Sequence, residues 1–301
     1  MTEPVSIYKA PVVVVGGGVT GLVTAHLLAE AGAEVVVIEK LPVVGGLARS
    51  YTYENKYVFD CGPHRFDTGN ANVKTYLERI LAREGTFYPR KSEVYFKGSY
   101  YAWPIKPQNL LQLPPRLAGK AFIDLAVNGW KTYEGDNFQN YILRQYGPTL
   151  YQHFFEGYSQ KFLGLHPRDT HSDWAKVGIN RAIIDDKAQM QNLFQLLKST
   201  LLQFNKESHC YLYPQGGMQE AWEEVRGRFE KAGGRVITGV GAEMSGANGR
   251  VTEVRAGDEV FHPSQVVWTA PITLACKQLD LHVPDLRYLG LLLYNVIVEE
   301  P

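Results

Sequence analysis

Three features of this 301-residue sequence predict an α/β fold in which a parallel sheet is interrupted by a mostly helical insert. A run of four valines, Val12 to Val15, passes directly into Gly16-x-Gly18-x-x-Gly21 and a helix-like stretch. Residues from about 91 to 204 are aromatic-rich and helical in pattern. Strand and helix patterns with a β-hairpin then return between Tyr211 and Pro271.

The valine run is short and β-branched, which suits a strand buried on both faces. Gly16 permits the sharp turn out of that strand. Gly18 lets the backbone approach a pyrophosphate, and Gly21 lets the following helix pack closely. That helix is expected from Thr20 to Ala31, with Leu22, Ala25, Leu27 and Leu28 inward and Gly32 as its stop. Its N-terminal N–H groups favour an anion. Ala33 to Ile38 reads as the second strand and ends in Glu39. A carboxylate there can accept hydrogen bonds from a ribose diol and repels a 2′-phosphate, which disfavours NADP. Glycines of this spacing are weak evidence alone. A strand before them, a helix after them and an acid eighteen residues past Gly21 make them a dinucleotide-binding unit.

A second glycine pair, Gly45-Gly46, lies just past the acid and tilts the dinucleotide from NAD toward FAD. It allows a second close approach of backbone to cofactor. Arg49 is a candidate neighbour of the diphosphate and Ser50 a candidate hydrogen-bond donor. A solvated loop arginine is an equal reading of Arg49. The candidate cofactor-binding residues here are Gly16, Gly18, Val19, Thr20, Gly21, Glu39, Lys40, Gly45, Gly46, Leu47, Ala48 and Arg49.

Further along, Val94 to Trp103 reads as a hairpin turning near Lys97-Gly98. Helices are expected at Phe138 to Tyr146, Leu150 to Phe162 and Met190 to Phe204. Leu110 to Val127 reads as a helix packed on the protein in preference to a membrane-surface segment. A helix from Gln219 to Ala232 is ended by Gly233-Gly234. A strand at Val236-Ile237 follows, then a hairpin of Gly239 to Ser245 and Val251 to Arg255 around Ala247-Asn248-Gly249. Gln265 to Pro271 reads as a buried strand ending in a loop, and Leu289 to Val298 as a strand-like apolar run. The expected domains are 1–90 with 205–275 for the nucleotide, and 91–204 with 276–301 for the substrate.

Composition narrows the function classes. Thirty-one basic and thirty-one acidic residues give a net charge of zero, so nothing draws the chain to nucleic acid or an anionic membrane. Cys61, Cys210 and Cys276 are widely separated and form neither a zinc nor a disulfide pattern. His153, His166 and His171 lack metal-site spacing, so no metal is assigned. With no signal-like or membrane-length apolar run, a cytoplasmic location is expected.

The chain resembles the flavoproteins that group amine oxidases, protoporphyrinogen oxidase, phytoene-desaturase-like enzymes and UDP-galactopyranose mutase. The resemblance rests on the Gly16-to-Glu39 unit, Gly45-Gly46-Leu-Ala-Arg49, Tyr213-Pro-x-Gly216-Gly217-Met218 and Val266-Val-x-Thr-Ala-Pro271. It implies FAD as cofactor and adds Thr269, Ala270, Pro271 and Ala242 to the cofactor-binding candidates. Gly62-Pro63-His64-Arg-Phe66 is similar to the segment beside the flavin ring in the sugar mutases, which adds Gly62, Pro63 and His64. Leu150-Tyr151 through Tyr158 and Lys161 to Gly164 is similar to their pocket segment. Leu163 stands where the mutases carry a pocket tryptophan. Arg181 is the nearest match to their pocket arginines, and a surface helix arginine is an equal reading.

The chemistry implied is flavin chemistry on a small-molecule substrate. The leading expectation is an FAD-dependent oxidoreductase in which flavin N5 takes a hydride. The second is a sugar-nucleotide mutase that uses reduced flavin. The third is a flavin-binding chain without catalysis of its own. His64 is the catalytic candidate, with a structural histidine as the competing reading. Tyr151, Tyr158, Lys161 and Arg181 are the substrate candidates, against a plain core stripe for the tyrosines. The resemblance also implies a further C-terminal part, or a partner chain, that closes over the flavin. The 1–301 chain alone is therefore expected to hold FAD weakly. Purification of that chain with near-stoichiometric FAD would contradict this.

Overall fold

The computed structural model describes residues 6–9, 11–66, 70–81, 85–89, 93–102, 112–128, 130–174, 210–247 and 249–299. It divides into two compact units, residues 1–88 with 210–301, and residues 89–209. The segment 276–301, expected with the helical domain, groups with the first unit. Two exposed hydrogen bonds help to hold it there, Thr273 to Tyr288 and Asn295 to Tyr51.

The first unit begins with β1 (Ser6–Lys9) and β2 (Val12–Val15), then α1 (Val19–Glu30) and β3 (Val35–Glu39). The hairpin β4 (Ser50–Tyr53) and β5 (Tyr57–Asp60), α2 (Ala71–Leu81) and β6 (Gly85–Pro89) complete its first part. Continuing along the chain, the second unit holds β7 (Glu93–Phe96), β8 (Ser99–Ala102), α3 (Pro115–Asn128), α4 (Phe138–Leu150) and α5 (Gly157–Leu163). The chain re-enters the first unit with β9 (Cys210–Pro214), α6 (Met218–Lys231), β10 (Arg235–Thr238) and β11 (Ala242–Ala247). Then come β12 (Arg250–Ala256), β13 (Glu259–His262), β14 (Gln265–Trp268) and α7 (Ile272–Gln278).

A parallel sheet in the order β10-β3-β2-β14 forms the heart of the first unit. Alternation along its valine strands splits the side chains between two faces. Val14, Val35 and Val37 pack against Ala25 and Ala29 of α1 and Phe229 of α6. Val13, Val15, Val36 and Ile38 pack against Met244, Val254, Ala256 and Phe261 of a second sheet, ordered β1-β13-β12-β11. Both faces are thus covered, as continuous β-branched runs require. Burying a side chain such as Phe229, which is fully enclosed, stabilises the unit by roughly 2–3 kcal/mol.

Several sequence expectations shift. On α1, Leu27 is 48% exposed and His26 is buried instead, so the inner stripe lies one position earlier. β14 is only half-buried because it is a sheet edge with β2 alone beside it. Leu289 to Val298 forms no strand, and no described strand pairs with it. Gly239 to Gly241 lie before β11, not within the hairpin. Met190 to Phe204 lies outside the described residues.

In the second unit, Lys97 and Gly98 both adopt positive φ and close the expected hairpin. α4 is broken at Gly147, whose φ is 74°, and Pro148 follows. A Cβ at Gly147 would lie 2.8 Å from Asp124 Cβ, so glycine also permits the approach of α3. Asp124 accepts the freed Thr149 N–H at 2.7 Å. A π-helical segment, Tyr151–Glu156, leads into α5. Leu117, Ala121 and Leu125 of α3 are buried against Phe138, Ile142, Leu150 and Phe155, so this segment packs on the protein.

His26 adds a titratable group to the α1 core. It shares a 2.9 Å hydrogen bond with Tyr76 and lies 3.5 Å from Glu30, which is paired bidentately with Arg79. Burial, opposed by Glu30 and aided by Arg79 and Arg228, holds its pKa below the ordinary 6.5. The unfolded chain therefore takes up this proton first as pH falls below 6.5, and stability declines with it. The contribution is full above pH 6.5 and is lost toward the lower folded pKa. Urea titrations between pH 7.5 and 5.5 should show this slope, at most about 1.4 kcal/mol per pH unit. His26→Gln should flatten it.

Candidate functional site

The turn after β2 is built from close backbone contacts. Gly16 sits at φ 105° and donates its N–H to the Ile38 carbonyl at 2.8 Å. A Cβ at Gly16 would lie 2.6 Å from Thr269 Oγ1, and one at Gly21 would lie 1.9 Å from the Gly16 oxygen. Gly21 therefore lets α1 approach the turn itself and Thr269, a more specific contact than helix on sheet. Gly18 begins α1 with no side-chain cap, so the helix N-terminus favours an anion, while the parallel bridge between Gly18 and Gly45 brings the Val19 N–H to the second glycine loop.

Glu39 is 8% exposed at the end of β3. Its Oε2 accepts the Gly17 N–H at 2.6 Å and its Oε1 accepts the Leu41 N–H at 2.8 Å. Each oxygen keeps a further lone pair for a ligand hydroxyl. A Cβ at Gly17 would lie 2.9 Å from Glu39 Cβ, so Gly17 is a required glycine that the spacing rule passes over. Lys40 is exposed beside it.

The second glycine loop docks on the first. Gly45 donates its N–H to the Gly17 carbonyl at 2.8 Å. A Cβ at Gly46 would lie 2.9 Å from Gly18 Cα. A Cβ added at Gly18 would meet only Gly46 Cα, at 3.8 Å, an ordinary van der Waals contact. Arg49 folds back onto its own loop and donates to the Gly46 carbonyl at 2.8 Å. Ser50 does not face this cradle. It donates to Asp60 at 2.5 Å and accepts the Gln219 N–H at 3.0 Å, linking the loop to α6. Leu47 is 83% exposed, and Ala48 is buried with its carbonyl accepting the Trp222 indole N–H at 2.8 Å.

The remaining first-unit candidates vary in their engagement. Thr269 donates its N–H to the Val15 carbonyl at 2.9 Å, and its hydroxyl lies 2.9 Å from Val15 O and 3.2 Å from Gly16 O. It therefore braces the turn, with Ala270 and Pro271 following at the start of α7. Ala242 opens β11, and its carbonyl accepts from Gln278 at 3.0 Å. Gly62 is buried at φ 134°, and Pro63 is exposed. His64 is half-buried, and its Nδ1 is buried with no hydrogen-bond partner. The imidazole is thus not tied to backbone through that atom.

The second-unit candidates do not share one environment. Tyr151 is 3% exposed, and its buried hydroxyl has no hydrogen-bond partner. Burial first, and then the Glu156 carboxylate, raise its phenol pKa. Tyr158 is exposed and stacked on Phe162, and Lys161 is exposed on the same helix. Tyr151 therefore belongs to the core, and the other two to the surface of α5. Arg181 lies outside the described residues. Among those residues no helix is long and apolar enough to cross a membrane.

A model of the NAD(P)-binding Rossmann-like domain family matches residues 14–80. Residues 14–80 of the first unit accordingly have a Rossmann-like fold. The chain is 30% identical over 170 residues to a dTDP-fucopyranose mutase of Escherichia coli, covering 52% of this chain and 43% of that protein. It is 34% identical over 85 residues to an L-amino-acid oxidase of Sistrurus catenatus edwardsii, covering 28% and 16% of the two. A solved structure of reduced UDP-galactopyranose mutase superposes with a TM-score of 0.74 at 20% identity, over 90% of this chain and 57% of that one. The chain is thus similar in sequence to a sugar mutase and to an L-amino-acid oxidase, and each match spans less than two thirds of the relative's length.

The glycines make separable predictions. Gly21→Ala forces a methyl into the Gly16 carbonyl and should cost about 2–3 kcal/mol of stability, read from the urea midpoint. Gly18→Ala should cost no more than ~1 kcal/mol as a helix cap change. Gly18→Val should fold yet bind ADP roughly tenfold or more weakly in calorimetry. Unchanged ADP affinity in Gly18→Val would place the site elsewhere.

Proposed function

We propose that this chain binds FAD in its Rossmann-like unit and forms the dinucleotide-holding part of an FAD-dependent enzyme of the oxidoreductase type. The observation that carries this reading is the docking of two glycine loops, Gly16–Gly18 against Gly45–Gly46, beside the end-of-strand acid Glu39. The space left at Gly18 is one that a side chain would fill, which fits a ligand whose diphosphate lies against the backbone. Thr20, in the first turn of α1, would offer its N–H to that diphosphate. Glu39 would use its remaining lone pairs for ribose hydroxyls and would repel a 2′-phosphate. Among the candidates of the Gly62–His64 segment, His64 carries a buried nitrogen, Nδ1, without a hydrogen-bond partner, which fits a ligand-contacting role. Bound flavin would supply hydride acceptance from a small-molecule substrate.

A second reading, a sugar-nucleotide mutase working on reduced flavin, is favoured by one observation. The match to the dTDP-fucopyranose mutase runs for 170 residues, twice the 85 of the L-amino-acid oxidase match. It therefore spans more of the chain than the glycine unit alone, which fills about the first fifty residues. Leu163 in place of a pocket tryptophan weighs on the other side.

The test is a visible titration of the purified chain with FAD, read in the presence of free ligand. A saturable change in the flavin band near ~450 nm supports the reading, and a chain that takes up NAD but no FAD overturns it. Peroxide release with an amine or amino-acid substrate would then support the oxidase. Raised thermal stability with UDP or dTDP, without peroxide, would support the mutase.

A further inference from the structure

The second glycine loop is held from outside by α6, some 170 residues further along the chain. Trp222 is 3% exposed, and its indole N–H donates to the Ala48 carbonyl at 2.8 Å. The edge of the same ring defines the space at Gly45, where a Cβ would lie 2.7 Å from Trp222 Cδ1. Gln219 on the same helix donates its side-chain amide to the Val44 carbonyl at 3.2 Å. Arg49 occupies the Gly46 carbonyl, and the Ala48 N–H occupies the Gly45 carbonyl.

Four of the five carbonyls from Val44 to Ala48 are therefore already hydrogen-bonded within the protein. This matters for an anionic ligand. A phosphate approaching Gly18 passes Gly46, and loose backbone carbonyls there would repel it. Carbonyls bound to donors are held in place and partly neutralised. A Cβ added at Gly46 would lie 2.9 Å from Gly18 Cα, so the two loops are in direct backbone contact.

We propose that Trp222 is a positioning residue for the dinucleotide site. Through its N–H and its ring edge it holds the Gly45–Gly46 loop in its contact with Gly17 and Gly18, the backbone surface that a diphosphate would lie against. Gln219 assists from one turn earlier. This rests on the reading of the cradle as a dinucleotide site but does not depend on which dinucleotide binds.

Trp222→Phe keeps a ring in the core and deletes the N–H. Gln219→Met, at a less buried position, deletes only the second donor and guards against a folding defect in the first variant. ADP and adenosine are the probes, titrated by NMR, with urea denaturation of each unliganded chain. Trp222→Phe should weaken ADP about tenfold and Gln219→Met by a smaller factor, with adenosine changed less than about twofold. Equal weakening of ADP and adenosine, or a stability loss with ADP affinity intact, overturns the proposal. A wild-type chain that binds ADP but not FAD sinks the flavin reading, and the variants still decide this one. A wild-type chain that binds neither sinks both.

Discussion

The site depends on backbone brought closer than any side chain would allow. At Gly16, Gly17, Gly21 and Gly46 a Cβ would fall within 3 Å of a neighbouring atom. Those contacts stack the turn after β2, the start of α1, the end of β3 and the Val44–Ser50 loop into one cradle. Glu39 closes the arrangement, since one carboxylate receives N–H groups from both the turn and the chain just beyond its own strand. Charge-assisted bonds of this kind are about twice as strong as neutral ones. The acid is therefore a structural brace for the glycine turn as well as a candidate ribose ligand.

Support for the cradle comes from distant parts of the chain. Thr269 pins the turn from β14, and α6 pins the second loop through Gln219 and Trp222. Asp60 gathers Ser50, Tyr213 and the Met218 N–H at the start of α6. This ties the β4–β5 hairpin to the same helix. The interrupted order of the first unit has a consequence here, because the supports are made only after the whole insert has been synthesised.

Much of this was legible in the residues. Four consecutive valines, glycines at fixed spacing and an acid at a strand end are local signals, and each produced the expected element in place. The Lys97-Gly98 turn and the break before Pro148 were legible for the same reason, since positive φ leaves a mark on residue choice. Less was visible where partners are remote. The β4–β5 hairpin, β1 and β13 are short; β13 follows a Gly257-Asp258 turn absent from the sequence expectations, while β1 exists because β13 lies beside it. Gly17, Trp222 and the buried His26 had no pattern of their own. Leu289 to Val298 carried an apolar pattern that no described strand completes.

The sequence by itself determined a dinucleotide-type glycine turn, the parallel strands that flank it and the interruption of that domain by a helical insert. These follow from backbone geometry and hydrophobic periodicity, which act over a few residues. Only the tertiary structure decided what each glycine must avoid, that Ser50 faces Asp60, that Tyr151 is core while Tyr158 is surface, and that Trp222 holds the second loop. Those outcomes depend on atoms from segments far apart in the chain meeting within hydrogen-bonding or van der Waals distance, and no local pattern records which segments will meet.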